Sequence, residues 1–191
     1  MPLTARTPRA LFRACQDHPN QILNRVLTRY RLRFPVRFAT PTQTLLAFFN
    51  GQGEAVAVPL PPTPWYLFIG QQIQAMPEGS QYTPRILEYR YRIQGTPLLE
   101  DEAEVRFEYV SPDIDPDFSY SRHHVQFHRD SRSASSDFSL SKFHIPTGGV
   151  TIEHVIRFLI ADLGVPSLTA HWQDELRESE RVTREWLRET E

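Results

Sequence analysis

Residues 120–130 read YSRHHVQFHRD and place His123, His124 and His128 within six positions of a 191-residue chain that holds seven histidines. Histidine titrates near neutrality, so a cluster of imidazoles is a natural place to look for proton transfer. On an extended chain, successive side chains point to opposite faces. HHVQFH therefore sets His124, Gln126 and His128 on a polar side and Val125 with Phe127 on an oily one. The run SKFHI behaves alike, with Phe143 and Ile145 inward and Lys142 and His144 outward. If these two strands pair, His124, His128, Lys142 and His144 share one face with Glu104, Arg106 and Glu108 of a neighbouring strand. Same-face residues two apart lie about 7 Å from each other, and cross-strand neighbours are nearer. That spacing suits a general acid and a general base on either side of a phosphodiester, with arginine or lysine holding the phosphate. RNA is the natural target, because its own 2′-hydroxyl supplies the nucleophile and no metal is needed. The candidate catalytic residues are thus His124, His128 and His144. The candidate substrate-binding residues are Arg106 and Lys142, joined by Arg122, Arg90 and Arg92.

Other readings compete. Zinc accepts histidine and carboxylate, and His124, His128 and either Glu108 or His144 offer such a set. Their spacing matches no common zinc signature and the single Cys15 has no partner, so neither metal nor cofactor is expected. An exposed sheet face also carries polar residues, histidine included, without any chemistry. His123, on the opposite parity, reads as a satisfied core histidine, and His18, His154 and His171 as structural or surface residues. The IPTGGV stretch, residues 145–150, sets two glycines before a helix but lacks the lysine of a phosphate loop, so a tight strand-to-helix turn is expected.

The elements that position these residues follow from hydrophobic periodicity. ILEYRYRI, AEVRFEYV, HHVQFH and SKFHI each alternate oily with polar residues, which predicts an antiparallel meander with one shared oily face. TIEHVIRFLIADLG covers that face: Ile152, Val155, Ile156, Leu159, Ile160 and Leu163 form a helical stripe, Thr151 is the expected N-cap, and Gly164 ends the helix. Upstream, Asn50-Gly51 between two apolar runs predicts a hairpin. WYLFIG reads as a short buried strand and QAMPEGSQYTP as a loop. The N-terminal helical segment is expected to break at His18-Pro19, with Asn20 capping a second helix. The serine-rich SRSASSD between the third and fourth strands reads as a mobile loop.

These expectations assemble into an α+β fold: an antiparallel β-sheet of about six strands with one core helix packed across a face and helical N- and C-terminal segments. The domain reading is a single α+β domain over 1–165 (helical segment 8–30, sheet 36–146, core helix 151–163), followed by an amphipathic acidic helix over 166–191. Trp172, Leu176, Val182 or Thr183, and Trp186 form the thinner stripe of that last helix. It is expected to dock on the domain, pair with a second copy of the chain, or receive a partner.

Charge is unevenly placed although the net value is only −2. Arg6 to Arg37 holds eight arginines and one acid, Asp17, whereas the last twenty-odd residues hold seven acids against four arginines. The two ends are therefore expected to meet each other, or the basic end to meet phosphate. RYRLRFPVRF, with Arg29, Arg31, Arg33 and Arg37 among aromatic rings, reads equally as a nucleic-acid contact or as an edge strand. No apolar run is long enough for a bilayer span and the N-terminus lacks a signal-peptide core, so no membrane association and a cytoplasmic location are expected.

One stretch resembles a known family. The tyrosine-rich YRYRI strand, an acidic spacer, the RFEY strand, the HHVQFH strand, and HIPTGGVTIEHVIRFLI together look like the TumE-type toxins of prokaryotic toxin–antitoxin systems, over about residues 86–165. The resemblance implies a toxin- or defence-associated prokaryotic protein with a small antitoxin-like protein as partner. Joined to the histidine pattern, the expected activity is on RNA, as a metal-independent ribonuclease. The alternatives are a non-catalytic interaction subunit of a multi-protein system, or a small metalloenzyme with histidine ligands.

Overall fold

A computed structural model describes residues 3–35, 40–117, 121–128 and 144–187, and the side chains of Trp186 and Leu187 are excepted. Lys142, Phe143, Arg37 and the SRSASSD stretch lie outside the described residues.

The architecture is α+β, as the periodicities predict. In chain order the elements are α1 (Pro8–Val26), β1 (Gln43–Ala47), β2 (Val58–Pro59), β3 (Tyr66–Glu78), β4 (Gln81–Gln94), β5 (Val105–Val110), β6 (His123–Phe127), β7 (His144–Pro146), α2 (Ile152–Ala161) and α3 (Trp172–Leu187). The seven strands form one antiparallel sheet in the order β1-β3-β4-β5-β6-β7, with β2 also pairing with β3. The expected four-strand meander is β4 to β7, in the expected parity. Tyr91 pairs with Phe107 and Phe107 with Val125 on the inner face, while Arg92 pairs with Arg106 and Arg106 with Gln126 on the outer face.

The three helices cover the inner face. α1 lies on β3 and β4, and Phe158 of α2 meets Phe107 of β5 edge-on at 5.9 Å. The main core joins Leu11, Leu23, Leu67, Ile69, Tyr91, Ile93, Ile156 and Leu159, all nearly sealed from solvent. Each such aliphatic side chain contributes roughly 1.5–3 kcal/mol by leaving water. A smaller cluster of Ala47, Ala57 and Phe68 sits on the other side of β3. Gly70 leaves room there for the Phe68 ring, whose end would lie 2.9 Å from a Cβ at that position and would have to shift.

Three expectations about local structure are corrected. α1 runs unbroken through Pro19. A continuous helix keeps Leu11, Phe12, Cys15, Pro19, Ile22, Leu23 and Val26 on one buried stripe, which outweighs the hydrogen bond that proline removes. Asn20 caps nothing; it is buried and clamps the backbone of Leu32, donating to its carbonyl at 2.9 Å and accepting from its N–H at 2.7 Å. The QAMPEGSQYTP segment is not a loop but the tip of a long hairpin, in which Glu78 pairs with Gln81 and Gly79 turns the chain at φ 58°. A positive φ at the first of two turn residues fits a type II′ turn. Pro77 and Pro84 fit because they lie beyond the reach of β1 and β5, where no neighbouring strand needs their missing N–H. Around Asn50-Gly51 the chain does reverse, but over a wider turn: Phe49 bridges Ala55, and Asn50 Oδ1 accepts from the N–H groups of Gln52 and Glu54 at 2.9 and 3.0 Å.

The two charged ends meet within the chain. α3 packs on α1 and α2, Leu176 is fully buried, and Arg25 pairs with Glu175 at 2.9 Å. Arg33 forms an isolated bridge with Ala47. Among the described residues, no helix is long and apolar enough to cross a membrane.

Candidate functional site on the outer sheet face

Strand register sets the site. Because antiparallel partners share a face, the outer surface carries two adjoining cross-strand rows. One is Arg92, Arg106, Gln126 and His144; the other is Arg90, Glu108, His124 and Pro146. Residues 124, 126, 128 and 144 thus lie on the side away from the helices.

His124 is 1% exposed although it faces outward. Its Nδ1–H donates to the Ser121 carbonyl at 3.0 Å, and its Nε2 lies 3.4 Å from Glu108 Oε2. Glu108 Oε1 in turn accepts from Arg90 Nε at 3.0 Å, and Arg90 reaches Glu88 at 2.9 Å. The His144 ring stands 4.7 Å from that of His124. Burial lowers the His144 imidazole below its usual range, helped by His124 and Arg106 and opposed by Glu108, so His144 is held towards the neutral, proton-accepting form. His128 stands apart. Four residues along a strand separate it from His124 by about 13 Å, and it pairs instead with Glu102.

Beside these rows, a cleft of 380 Å³ runs between the sheet and residues 99–103, with Arg90, Arg92, Arg106, Gln126 and His128 on its sheet side. The arginines differ in what they have left to offer. Arg92 donates to the carbonyls of Leu99 and Asp101, and burial, with Arg106 and Arg90 nearby, lowers it below the usual guanidinium range. It anchors the 99–101 backbone. Arg122 is likewise committed, donating to the carbonyls of Val110, Asp115 and Pro116 at 3.3, 2.8 and 3.2 Å. Arg106 bonds Gln126, which the register sets between it and His144, with His128 two residues further along the same strand as Gln126.

The structure therefore sets His124 and His144 side by side, and places Arg106 in the row of His144 across Gln126 and Arg90 in the row of His124 across Glu108. It sets His128 at the far end of the same face, and gives Arg92 and Arg122 backbone-holding tasks. Sequence reasoning had not singled out Gln126 or Glu102; both follow from parity and loop length only once the register is known. The IPTGGV turn is a strand-to-helix connection whose Val150 N–H donates to Tyr89 Oη at 3.0 Å. Among the described residues, no three His, Cys, Asp or Glu side chains are grouped to hold a metal ion. The set of His124, His128 and Glu108 or His144 is divided by the length of β6. Comparison with protein-family models, with curated proteins and with solved structures gives no match for this chain, so the site is read from its geometry.

Proposed function

We propose that this chain is a toxin- or defence-associated prokaryotic protein of the TumE type that acts on RNA, cleaving it without a metal at the outer sheet face. The observation that carries the reading is the Arg92–Arg106–Gln126–His144 row beside Glu108 and the buried His124. Arg106 and Arg90 hold the scissile phosphate and offset the charge that grows on its oxygens. His144 takes the proton of the 2′-hydroxyl, the 2′ oxygen attacks phosphorus, and the bond to the 5′ oxygen breaks to leave a 2′,3′-cyclic phosphate. His128, turned by Glu102, returns a proton to the departing 5′ oxygen. His124 is a positioning residue: with Glu108 it fixes where the His144 ring stands. A small antitoxin-like protein would cover this face.

The test is cleavage of single-stranded RNA in the presence of a chelator. His144→Ala and Arg106→Ala are expected to lose roughly 100-fold or more in rate, the usual scale for a positioned base or phosphate donor, with the melting temperature unchanged. Wild-type protein without cleavage or growth arrest, or variants as active as wild type, would defeat the reading. A second reading, a non-catalytic interaction subunit, is favoured by a different surface. An open groove of 550 Å³ is lined by the exposed Arg9, Arg13, Arg31 and Arg33 with Asp17 as its one acid. It predicts that charge reversal in this groove matters and that the histidines do not.

A further inference from the structure

The inner face of the sheet holds a second site, independent of the RNA reading. A cavity of 130 Å³ lies between the sheet and the helices, walled by Tyr89, Tyr91, Tyr109 and His123 on the strands and reached by Cys15, His18, Glu153 and Thr183 from all three helices. His123, expected to be an ordinary core histidine, belongs to this wall: its ring stacks on Tyr109 at 4.3 Å, and its Nδ1 lies 3.1 Å from Tyr89 Oη. Tyr89 and Tyr91 stack on each other at 4.8 Å. Burial pushes the Cys15 thiol up to about 12 and Tyr89 to about 12, so these walls are neutral and the thiol is no nucleophile.

Glu153 is the charged group in this apolar setting, at 1% exposure. Its Oε1 accepts from Ser179 Oγ at 2.5 Å and from Thr183 Oγ1 at 2.8 Å, with His18 Nε2 at 3.6 Å. Burial alone would raise the carboxyl, but hydrogen bonds from His18, Ser179 and Thr151 outweigh it and hold the group at about 2, so it is ionised. Ser179, Thr183 and His18 all address the same oxygen. Oε2 is buried with no hydrogen-bond partner among the described residues, and a buried charged acceptor left unmatched costs more than a hydrogen bond gains.

We infer that the cavity binds a small organic cation with N–H donors, of the amidinium or guanidinium class, with Glu153 Oε2 taking its N–H and the tyrosine and histidine rings taking its face. A flat cation satisfies both features: charge-assisted N–H bonds to a carboxylate and stacking on aromatic faces. A quaternary ammonium has no hydrogen to give Oε2, and an anion would be repelled by the ionised carboxylate. At 130 Å³ the cavity is a little smaller than the roughly 150 Å³ that admits benzene. It is not fully enclosed, so it takes the planar cationic head and leaves the rest of a larger ligand at its mouth.

The experiment is calorimetric titration of the full chain with benzamidine and with its neutral isostere benzamide. Benzamidine is expected to bind at least about tenfold more tightly, a difference of about 1.4 kcal/mol, and to raise the melting temperature. Glu153→Gln is expected to bring the two ligands within about twofold of each other, one unpaired charge being what separates them. Since that variant also loses folding stability, Gly149→Leu serves as a second. Gly149 is exposed, lines the cavity, and has room for a Cβ with only His123 at 3.8 Å, so the leucine is expected to leave the fold intact and block benzamidine. N-acetylarginine amide separates a free ligand from a partner's side chain: binding as tight as methylguanidine supports the same chemistry with a protein arginine as its source. Equal binding of benzamidine and benzamide, no binding of either at millimolar concentration, or unchanged binding in Gly149→Leu would each overturn the inference.

Discussion

The two faces of the sheet are built from the same alternating strands and solve the burial of polar groups in opposite ways. On the outer face, charge is dense and of both signs: Arg90 pairs with Glu88 and Glu108, and Glu108 stands beside His124, along and across β4, β5 and β6. On the inner face, one carboxylate is sealed under the helices and served from one side only, by Ser179, Thr183 and His18. Strands can display a polar row by themselves, since parity alone does it. A buried polar network on the oily side has to be brought in by other elements, and here α1, α2 and α3 each bring a piece. The outer face is consequently suited to a ligand that lies along a surface, and the inner one to a ligand that is enclosed.

The largest expected effect falls on the inner face. The Glu153 carboxyl is held at about 2 against an ordinary value of 4.5, a difference equivalent to about 3 kcal/mol at neutral pH. A folded-state value below the unfolded one means that this stability is fully present above about pH 4.5 and is lost as pH falls towards 2. Urea unfolding of wild type and Glu153→Gln should therefore differ by about 3 kcal/mol at pH 7 and converge by about pH 2. A constant difference across that range would show that the carboxylate does not carry the network.

On the outer face the expected effects are smaller and separate two histidines. His124→Ala removes a buried ring and leaves the Ser121 carbonyl short of a donor, which costs about 1–3 kcal/mol. His144→Ala, at the one half-buried position of the otherwise exposed β7, is expected to cost within about 1 kcal/mol. Chemical denaturation of the two variants beside RNA cleavage tells position from chemistry: His144→Ala should lose activity at near wild-type stability, and His124→Ala should lose stability first. The reverse order would exchange their roles.

How much of this was legible in the sequence differs by face for the same reason. Outer-face parity can be read directly from YRYRI, VRFEY and HHVQF, because each strand shows its own alternation, and the meander with its covering helix follows from that. What could not be read is depth: His124 looks as exposed as Gln126 in the alternation, and only the Ser121 and Glu108 contacts show that it is sealed. Inner-face chemistry was nearly silent, since His18, Glu153, Ser179 and Thr183 lie on three helices, the first of them more than a hundred residues before the other two. One signal was present. Glu153 is seven positions before Ile160, so on a helix of 3.6 residues per turn it sits at the edge of the apolar stripe rather than opposite it. Pro19 misled for a related reason: local preference favours a break, and only the buried stripe on both sides of it keeps α1 whole.

The smallest expected effect concerns what joins α1 to α3. Charge asymmetry between the chain ends suggested that opposite charges draw them together, and Arg25 does meet Glu175 at 2.9 Å, with side-chain exposures of 56% and 36%. The less exposed link between the same helices is His18 Nε2 with Thr183 Oγ1 at 3.0 Å and Ser179 Oγ at 3.3 Å, both hydroxyls donating to Glu153 Oε1. An exposed pair in water contributes about 0.2–1 kcal/mol and is screened by salt. A double-mutant cycle on Arg25→Ala and Glu175→Ala should therefore return a coupling of no more than about 0.5 kcal/mol at physiological salt. The matching cycle on His18 and Thr183 should exceed it, because desolvated hydrogen bonds are worth more and are costly to leave unmade. If the surface pair proved the stronger, docking of α3 would be a matter of charge pairing between the chain ends, and the inner cavity would lose the rigid roof that a binding site needs.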